Sequence, residues 1–144
     1  MTIADLLATQ ELQPITPNPS AALRLLEKAH SNLSAAQIVA NAAPDAALTL
    51  AYDAARQAIT GLMRAQGYRS RERGAHVIAI KYAREALGAD HAQMIDSLDN
   101  LRRKRHSSEY GDVFSSEQES AWALGLAERV IAAVAEHIDH GEMP

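Results

Sequence analysis

Cysteine is absent from all 144 residues, which removes disulfides, thiol nucleophiles and zinc-thiolate sites in one step. Aromatics are scarce, with one Phe, one Trp and four Tyr. An all-β sandwich or barrel needs β-branched and aromatic residues at period two, so that class is excluded. No stretch approaches the roughly 18 uncharged apolar residues of a membrane span, and Met1–Leu12 has neither a basic start nor a small-residue cleavage site. These absences predict a cytoplasmic protein with no membrane partner. Gly-rich phosphate loops, nucleophile elbows and EF-hand loops are also missing, and most common enzyme classes leave with them.

Alanine is what the chain has in excess, 29 residues. It loses no side-chain entropy in a helix, so the composition favours helices over strands. The length suits one domain, which buries about 70% of the surface its unfolded chain exposes. A Pro-punctuated arm, residues 1–17, precedes the domain. Asn18 followed by Pro19 then fits an N-cap with proline at the first helical position. The helix it opens carries Ala22, Leu26, Ala29, Leu33, Ala36 and Ala40 on one stripe. A second helix, Pro44 to Gln66, has Ala47, Ala51, Ala54, Ala58, Leu62 and Ala65 along its seam, flanked by Leu48, Tyr52 and Ile59, with Gly67 as its stop.

After a polar link, Tyr68 to Arg73, a third helix runs from about Gly74 to Leu87 and stops at Gly88. Asp90 and Gln93 have the spacing of a capping box for a following helix with Met94, Leu98 and Leu101 inward. Ser116 with Glu119 forms a second such box. The last helix shows two apolar rows, one through Leu124, Ala127, Ile131, Val134 and Ile138 and one through Ala123, Leu126, Val130 and Ala133. The pattern predicts an all-α fold: an antiparallel four- to five-helix bundle over residues 18–140, its third element broken in two, with a tail at 141–144.

A net charge of −4 conceals an uneven distribution. Of 14 Lys and Arg, eight fall in two windows: Arg64, Arg69, Arg71 and Arg73, and the run Arg102, Arg103, Lys104, Arg105. The first window leads into His76 at the start of the third helix. The second belongs to Asn100-Leu101-Arg102-Arg103-Lys104-Arg105-His106-Ser107-Ser108-Glu109-Tyr110-Gly111-Asp112, which combines cations, an imidazole, a carboxylate and a phenol. Such groups bind phosphate and move protons. The plainer alternative is a solvated helix end whose cations complement the helix dipole. Metal chemistry has little support. His137 and His140 form a single pair near the end, and Glu27 with His30 has no second Glu-x-x-His to complete a four-helix di-metal site. No metal and no cofactor are expected.

The helix arrangement, the stretch Gly67-Tyr68-Arg69 to Gly74-Ala75-His76 and above all Arg-Arg-Lys-Arg-His-Ser-Ser-Glu-Tyr-Gly-Asp resemble HEPN-domain proteins, nearest to small bacterial members, over about Asn18 to Ile138. The resemblance implies a four- to five-helix bundle that forms homodimers. It also implies one of two roles: a metal-independent endoribonuclease in a toxin–antitoxin or defence system, with an antitoxin as its partner, or an inactive partner of a small nucleotidyltransferase. Active members place an Arg, four to six intervening residues and then a His at a cleft between protomers. Here the spacing departs from that pattern. Arg102 and His106 have three residues between them, whereas Arg105 and Tyr110 have four. A tyrosine is a poor base near neutral pH, its ordinary pKa being about 10.

The resemblance therefore assigns catalytic roles to Arg102, Arg105, His106 and Tyr110. RNA or phosphate binding falls to Arg69, Arg71, Arg73, Arg103 and Lys104, with support from His76, Glu109 and Asp112. Whether such a site cleaves RNA or only binds it stays open at this level.

Overall fold

The computed structural model describes residues 1–139. Within them lie six α-helices: α1 (Ile3–Ala8), α2 (Pro19–Val39), α3 (Pro44–Gln66), α4 (Ala75–Leu87), α5 (Ala92–Tyr110) and α6 (Glu117–Asp139). Two strands, β1 (Leu12–Pro14) and β2 (Tyr68–Ser70), pair antiparallel with Leu12 opposite Ser70 and Pro14 opposite Tyr68. A single 3₁₀ turn, Ala89–His91, separates α4 from α5. The architecture is the all-α bundle with a broken third element. His140 and the tail at 141–144 lie outside the described residues.

Helix boundaries follow local chemistry. Asn18 caps α2 by accepting from the Ala21 N–H at 3.0 Å, with Pro19 at the first turn. Ser116 and Glu119 cap α6 reciprocally, each side chain accepting from the other's backbone N–H at 3.0 and 3.1 Å. The box expected from Asp90 and Gln93 does not form. Asp90 is taken up in the 3₁₀ turn, and α5 starts after His91 with no side-chain cap. Gly88 ends α4 too close to the next helix for a separate capping turn, and the tight 3₁₀ turn bridges the gap instead.

α2 and α3 form an antiparallel hairpin. Asn18 donates its N–H to the Arg64 carbonyl at 2.9 Å, while further along α2 the Asn32 amide donates to Gln57 at 2.7 Å. A Cβ at Gly61 would stand 3.2 Å from the Ala22 carbonyl oxygen and 3.4 Å from Leu25 Cβ, so the two backbones meet closely there. α3 lies at the centre. Its Ala47, Ala51, Ala54, Ala55, Ala58 and Ala65 are fully buried beside Leu48, Tyr52, Ile59 and Leu62. α6 covers it with Ala123, Leu126, Ala127, Val130 and Val134, and α4 and α5 close the other side with Ile78, Tyr82, Ile95, Leu98 and Leu101.

Residues 1–17 fold onto the bundle. Leu6 and Leu12 are buried in the common core. Glu11 is clamped by the Lys81 ammonium of α4 at 3.0 Å and the Thr9 hydroxyl at 2.8 Å, which hold its carboxyl below the ordinary range. The polar link Tyr68 to Arg73 begins as a strand because β1 is present to pair with it. Ile15 donates its N–H to the Gly67 carbonyl at 2.9 Å, and Arg71 donates its own to that of Glu11 at 3.0 Å. Gly67 has φ +89°, and a Cβ there would lie 2.9 Å from the Ile15 carbonyl oxygen, so only glycine fits both the helix end and the strand start.

Candidate nucleic-acid interface

α5 continues through the basic run to Tyr110, so Arg102, His106 and Tyr110 stand four residues apart on one helix face. The His106 and Tyr110 rings lie 4.9 Å apart at a 46° tilt, both exposed. Arg102 is half-buried and donates through Nε to Asp99 at 3.0 Å. Arg103 reaches the other oxygen of the same carboxylate at 2.7 Å. Lys104 pairs with Glu119 of α6 at 3.1 Å, and Arg105 with Glu109 at 3.0 Å. Every cation of the run thus has a carboxylate partner. Arg103 and Lys104 face solvent, and their pairs are worth about 0–1 kcal/mol each, weak enough for a phosphate to displace the carboxylate, whereas Arg102 and Arg105 are only partly exposed. Asp112 is exposed just beyond the helix end.

Arg105 turns inward. Its guanidinium carbon lies 5.7 Å from the ring centroid of Tyr52 on α3, and its Nε is buried with no hydrogen-bond partner. The Tyr52 hydroxyl in turn lies 3.0 Å from His76 Nδ1, and the two rings are stacked at 5.7 Å. Burial pushes the Tyr52 phenol up to about 12, against the opposing field of Arg56, Arg102 and Arg105. Desolvation lowers the His76 pKa, and Arg56 and Arg105 push it further the same way. The imidazole is neutral at physiological pH. Three elements therefore bring His76, Tyr52 and Arg105 together.

The first basic window lies on the far side of His76. A groove of about 580 Å³ runs between α3, the β1–β2 ribbon and the start of α4, with Arg56, Arg64, Arg69, Arg71, Tyr68 and His76 on its walls. Arg73 does not line it; its carbonyl accepts from Arg71 Nε at 3.1 Å. The sequence reading missed Tyr52 and Arg56. Tyr52 stands in a row of core residues, and a single arginine on a long helix reads as solvated. The available signal was a column of Tyr52, Arg56, Thr60 and Arg64, polar at every fourth position of an otherwise alanine-rich helix.

A further anchor fixes the end of the run. Asp45 of α3 accepts from the Ser108 hydroxyl and from the Ser115 N–H, both at 2.7 Å, and these bonds hold its carboxyl below the ordinary range. The segment between α5 and α6 is tied down at its base while its tip is bare. Tyr110, Val113 and Phe114 are 71%, 67% and 86% exposed. Among the described residues no three His, Asp or Glu side chains gather as a metal site, and no helix is long and apolar enough to cross a membrane.

The family model for the HEPN domain matches residues 22–138. The chain belongs to the HEPN-domain family, and with that membership comes a nucleotide- or RNA-related role in general terms. No curated protein and no solved structure matches it.

Proposed function

We propose that this HEPN domain is an RNA-binding homodimer whose α5 surface carries the contact, with His106 acting on the bound strand. One observation supports this above the others: Arg102, His106 and Tyr110 share a face of α5 that ends in the exposed apolar side chains of Val113 and Phe114. An apolar tip beside a cationic helix face suits a second copy of the chain, which would double the site across a shared cleft. Arg102 and Arg105 would hold the phosphodiester, Arg103 and Lys104 the neighbouring phosphates, and Tyr110 would stack on a base.

In the cleavage step the 2′-oxygen attacks the adjacent phosphorus, the bond to the 5′-oxygen breaks, and a 2′,3′-cyclic phosphate and a 5′-hydroxyl result. His106 takes the 2′-hydroxyl proton, and the same histidine of the second copy gives a proton to the leaving oxygen. The toxin–antitoxin or defence setting implied by the family resemblance belongs to this proposal. The test is cleavage and binding of single-stranded RNA in chelator. Wild type should cleave, and His106→Ala should bind with little turnover, because acid–base help is worth about 10²- to 10⁴-fold. Arg102→Ala with Arg105→Ala should weaken binding and flatten its salt dependence. Equal cleavage by wild type and His106→Ala would defeat the catalytic assignment.

A second reading is favoured by Tyr110, which stands where an active motif counted from Arg105 has its histidine. On that reading the domain is a non-catalytic partner of a small nucleotidyltransferase, docked at the same exposed tip. Binding of RNA without any cleavage by wild type would select it.

A further inference from the structure

We propose that Tyr52 is a positioning residue for the α5 surface: its buried ring, fixed by His76, holds the Arg105 guanidinium beside the face that carries Arg102, His106 and Tyr110. The inference rests on the RNA reading above and says how one of its phosphate-binding arginines is set in place.

Arg105 differs from the other cations of its run. Leu98, Leu101, Arg105 and Ser108 follow one another at spacings of three, four and three, so Arg105 continues the inward stripe of α5. Leu98 and Leu101 are buried on that stripe, and Ser108 donates to Asp45 of α3 at 2.7 Å. The Arg105 side chain is 21% exposed, its Nη1 reaches Glu109 at 3.0 Å, and its Nε is buried without a hydrogen-bond partner. Its guanidinium carbon lies 5.7 Å from the centroid of the Tyr52 ring. Among the described residues no other cation of the run lies over an aromatic ring.

A guanidinium on an inward stripe has to be held there. Arg56 and Arg102 place like charge in the same neighbourhood, acting on Tyr52 and His76 together with Arg105, and their repulsion drives Arg105 outward. The electron-rich face of the tyrosine opposes that, because cation–π attraction strengthens where water is excluded and Tyr52 is 1% exposed. The ring itself cannot swing aside: its hydroxyl lies 3.0 Å from His76 Nδ1, and the two rings stack. An arginine held in this way loses less conformational freedom on meeting a phosphate than the solvent-facing Arg103 and Lys104 do. Glu109 is the group that the phosphate displaces, and the ring contact stays. Lysine would keep the charge but has no planar group to lie on the ring.

The experiment is a salt series of binding by the full chain to a short fluorescein-labelled single-stranded RNA. Arg105→Ala should weaken binding by about tenfold and lower the slope of log Kd against log salt by about 0.7, the loss of one phosphate contact on a single strand. Tyr52→Leu removes no charge, yet it should lower the slope by the same amount, and combining it with Arg105→Ala should change nothing further. Tyr52→Phe keeps the ring and should restore the slope, whereas Arg105→Lys should bind as weakly as Arg105→Ala. A role in stability alone would lower the melting temperature of Tyr52→Leu and leave its slope as in wild type. Arg105→Lys leaves the core intact and carries the test if Tyr52→Leu does not fold. Proton NMR of the wild-type chain reads the contact without RNA: the Arg105 Nε proton should exchange slowly with water and lie upfield of those of the other arginines, displaced by the ring current of Tyr52. An Arg105 signal like that of a solvated arginine overturns the positioning role even where RNA binds, and so does a wild-type slope in Tyr52→Leu or wild-type binding by Arg105→Lys. If wild type binds no RNA while the Arg105 proton is protected and shifted, the RNA reading has failed and the ring contact is structural only.

Discussion

The hydroxyl of Tyr52 lies 3.0 Å from Nδ1 of His76, joining the central helix of the bundle to the first turn of α4. Tyr52 keeps its proton far above neutrality, so it donates to Nδ1, and the histidine carries its own proton on Nε2. The same tyrosine ring lies against the Arg105 guanidinium. One buried phenol thus links the groove side of the molecule to the α5 run.

Removing that hydroxyl should cost stability without changing the fold. Tyr52→Phe keeps the ring and its packing but leaves Nδ1 of a half-buried histidine without a donor, a loss of about 1 kcal/mol. Chemical denaturation should report that decrease, and the melting temperature should fall by a few degrees. An unchanged denaturation midpoint would show that the bond contributes nothing.

The pH dependence follows from His76 and the groups that face it: Tyr52, Asp53 and Arg56 on α3, and Arg102 and Arg105 on α5. Its folded pKa lies below the ordinary 6.5. As pH falls through 6.5 the unfolded chain takes up a proton that the folded chain refuses, so stability falls and levels off only below the folded pKa. Asp45, Glu11 and Glu119 act lower. Their folded values lie beneath the ordinary 3.8 and 4.5, so their contribution persists until pH drops below those values. Between about pH 5 and 6.5 the wild-type denaturation free energy should therefore decline on acidification, and His76→Gln should decline less. Parallel slopes would show that His76 does not carry the effect.

Much of this architecture can be read from residue spacing. The α2 and α6 stripes, the seam of α3, the Asn18 cap, the Ser116–Glu119 box and the Gly67 stop all depend on neighbours within one helix turn, and those are legible in a linear chain. The Asp90 box was misleading because the tight turn after Gly88 overrides a local motif. β2 was invisible, since a three-residue strand exists only where Leu12–Pro14 comes back to pair with it. The site divides the same way. The composition of the α5 run is local and legible, but its ion pairs with Asp99, Glu109 and Glu119 depend on the helix running on to Tyr110 and on α6 lying beside it. Tyr52 and Arg56 become functional candidates only when α4 and α5 close over α3.

Gly67 offers a direct test of how the arm is attached. Its φ of +89° disfavours any side chain, and a Cβ would press within 2.9 Å of the Ile15 carbonyl, a backbone atom that cannot swing away. Gly67→Ala should destabilise by about 1–3 kcal/mol and loosen the β1–β2 pairing. Hydrogen exchange should show it: the Ile15 and Arg71 amides, which bond across this junction, should lose protection well before amides in the centre of α3. Full retention of protection at both would mean the glycine is dispensable.

The exposed tip after α5 tests the proposed dimer. Val113 and Phe114 contribute little to the folded monomer because they face water, so changing both to serine should leave the denaturation free energy within about 0.5 kcal/mol of wild type when measured on the monomer. In a dimer that buries them the cost is different, since each large apolar side chain returned to water forfeits about 1.5–3 kcal/mol. Two such residues from each of two copies would move the association equilibrium by several orders of magnitude. Light scattering should then show wild type as a dimer and Val113→Ser with Phe114→Ser as a monomer at the same concentration. The monomer should also lose RNA cleavage while each chain keeps its Arg102, His106 and Tyr110, because a cleft built from two copies no longer exists. A wild-type monomer, or a double variant that still dimerises, would place any self-association on a different face and separate it from the α5 site.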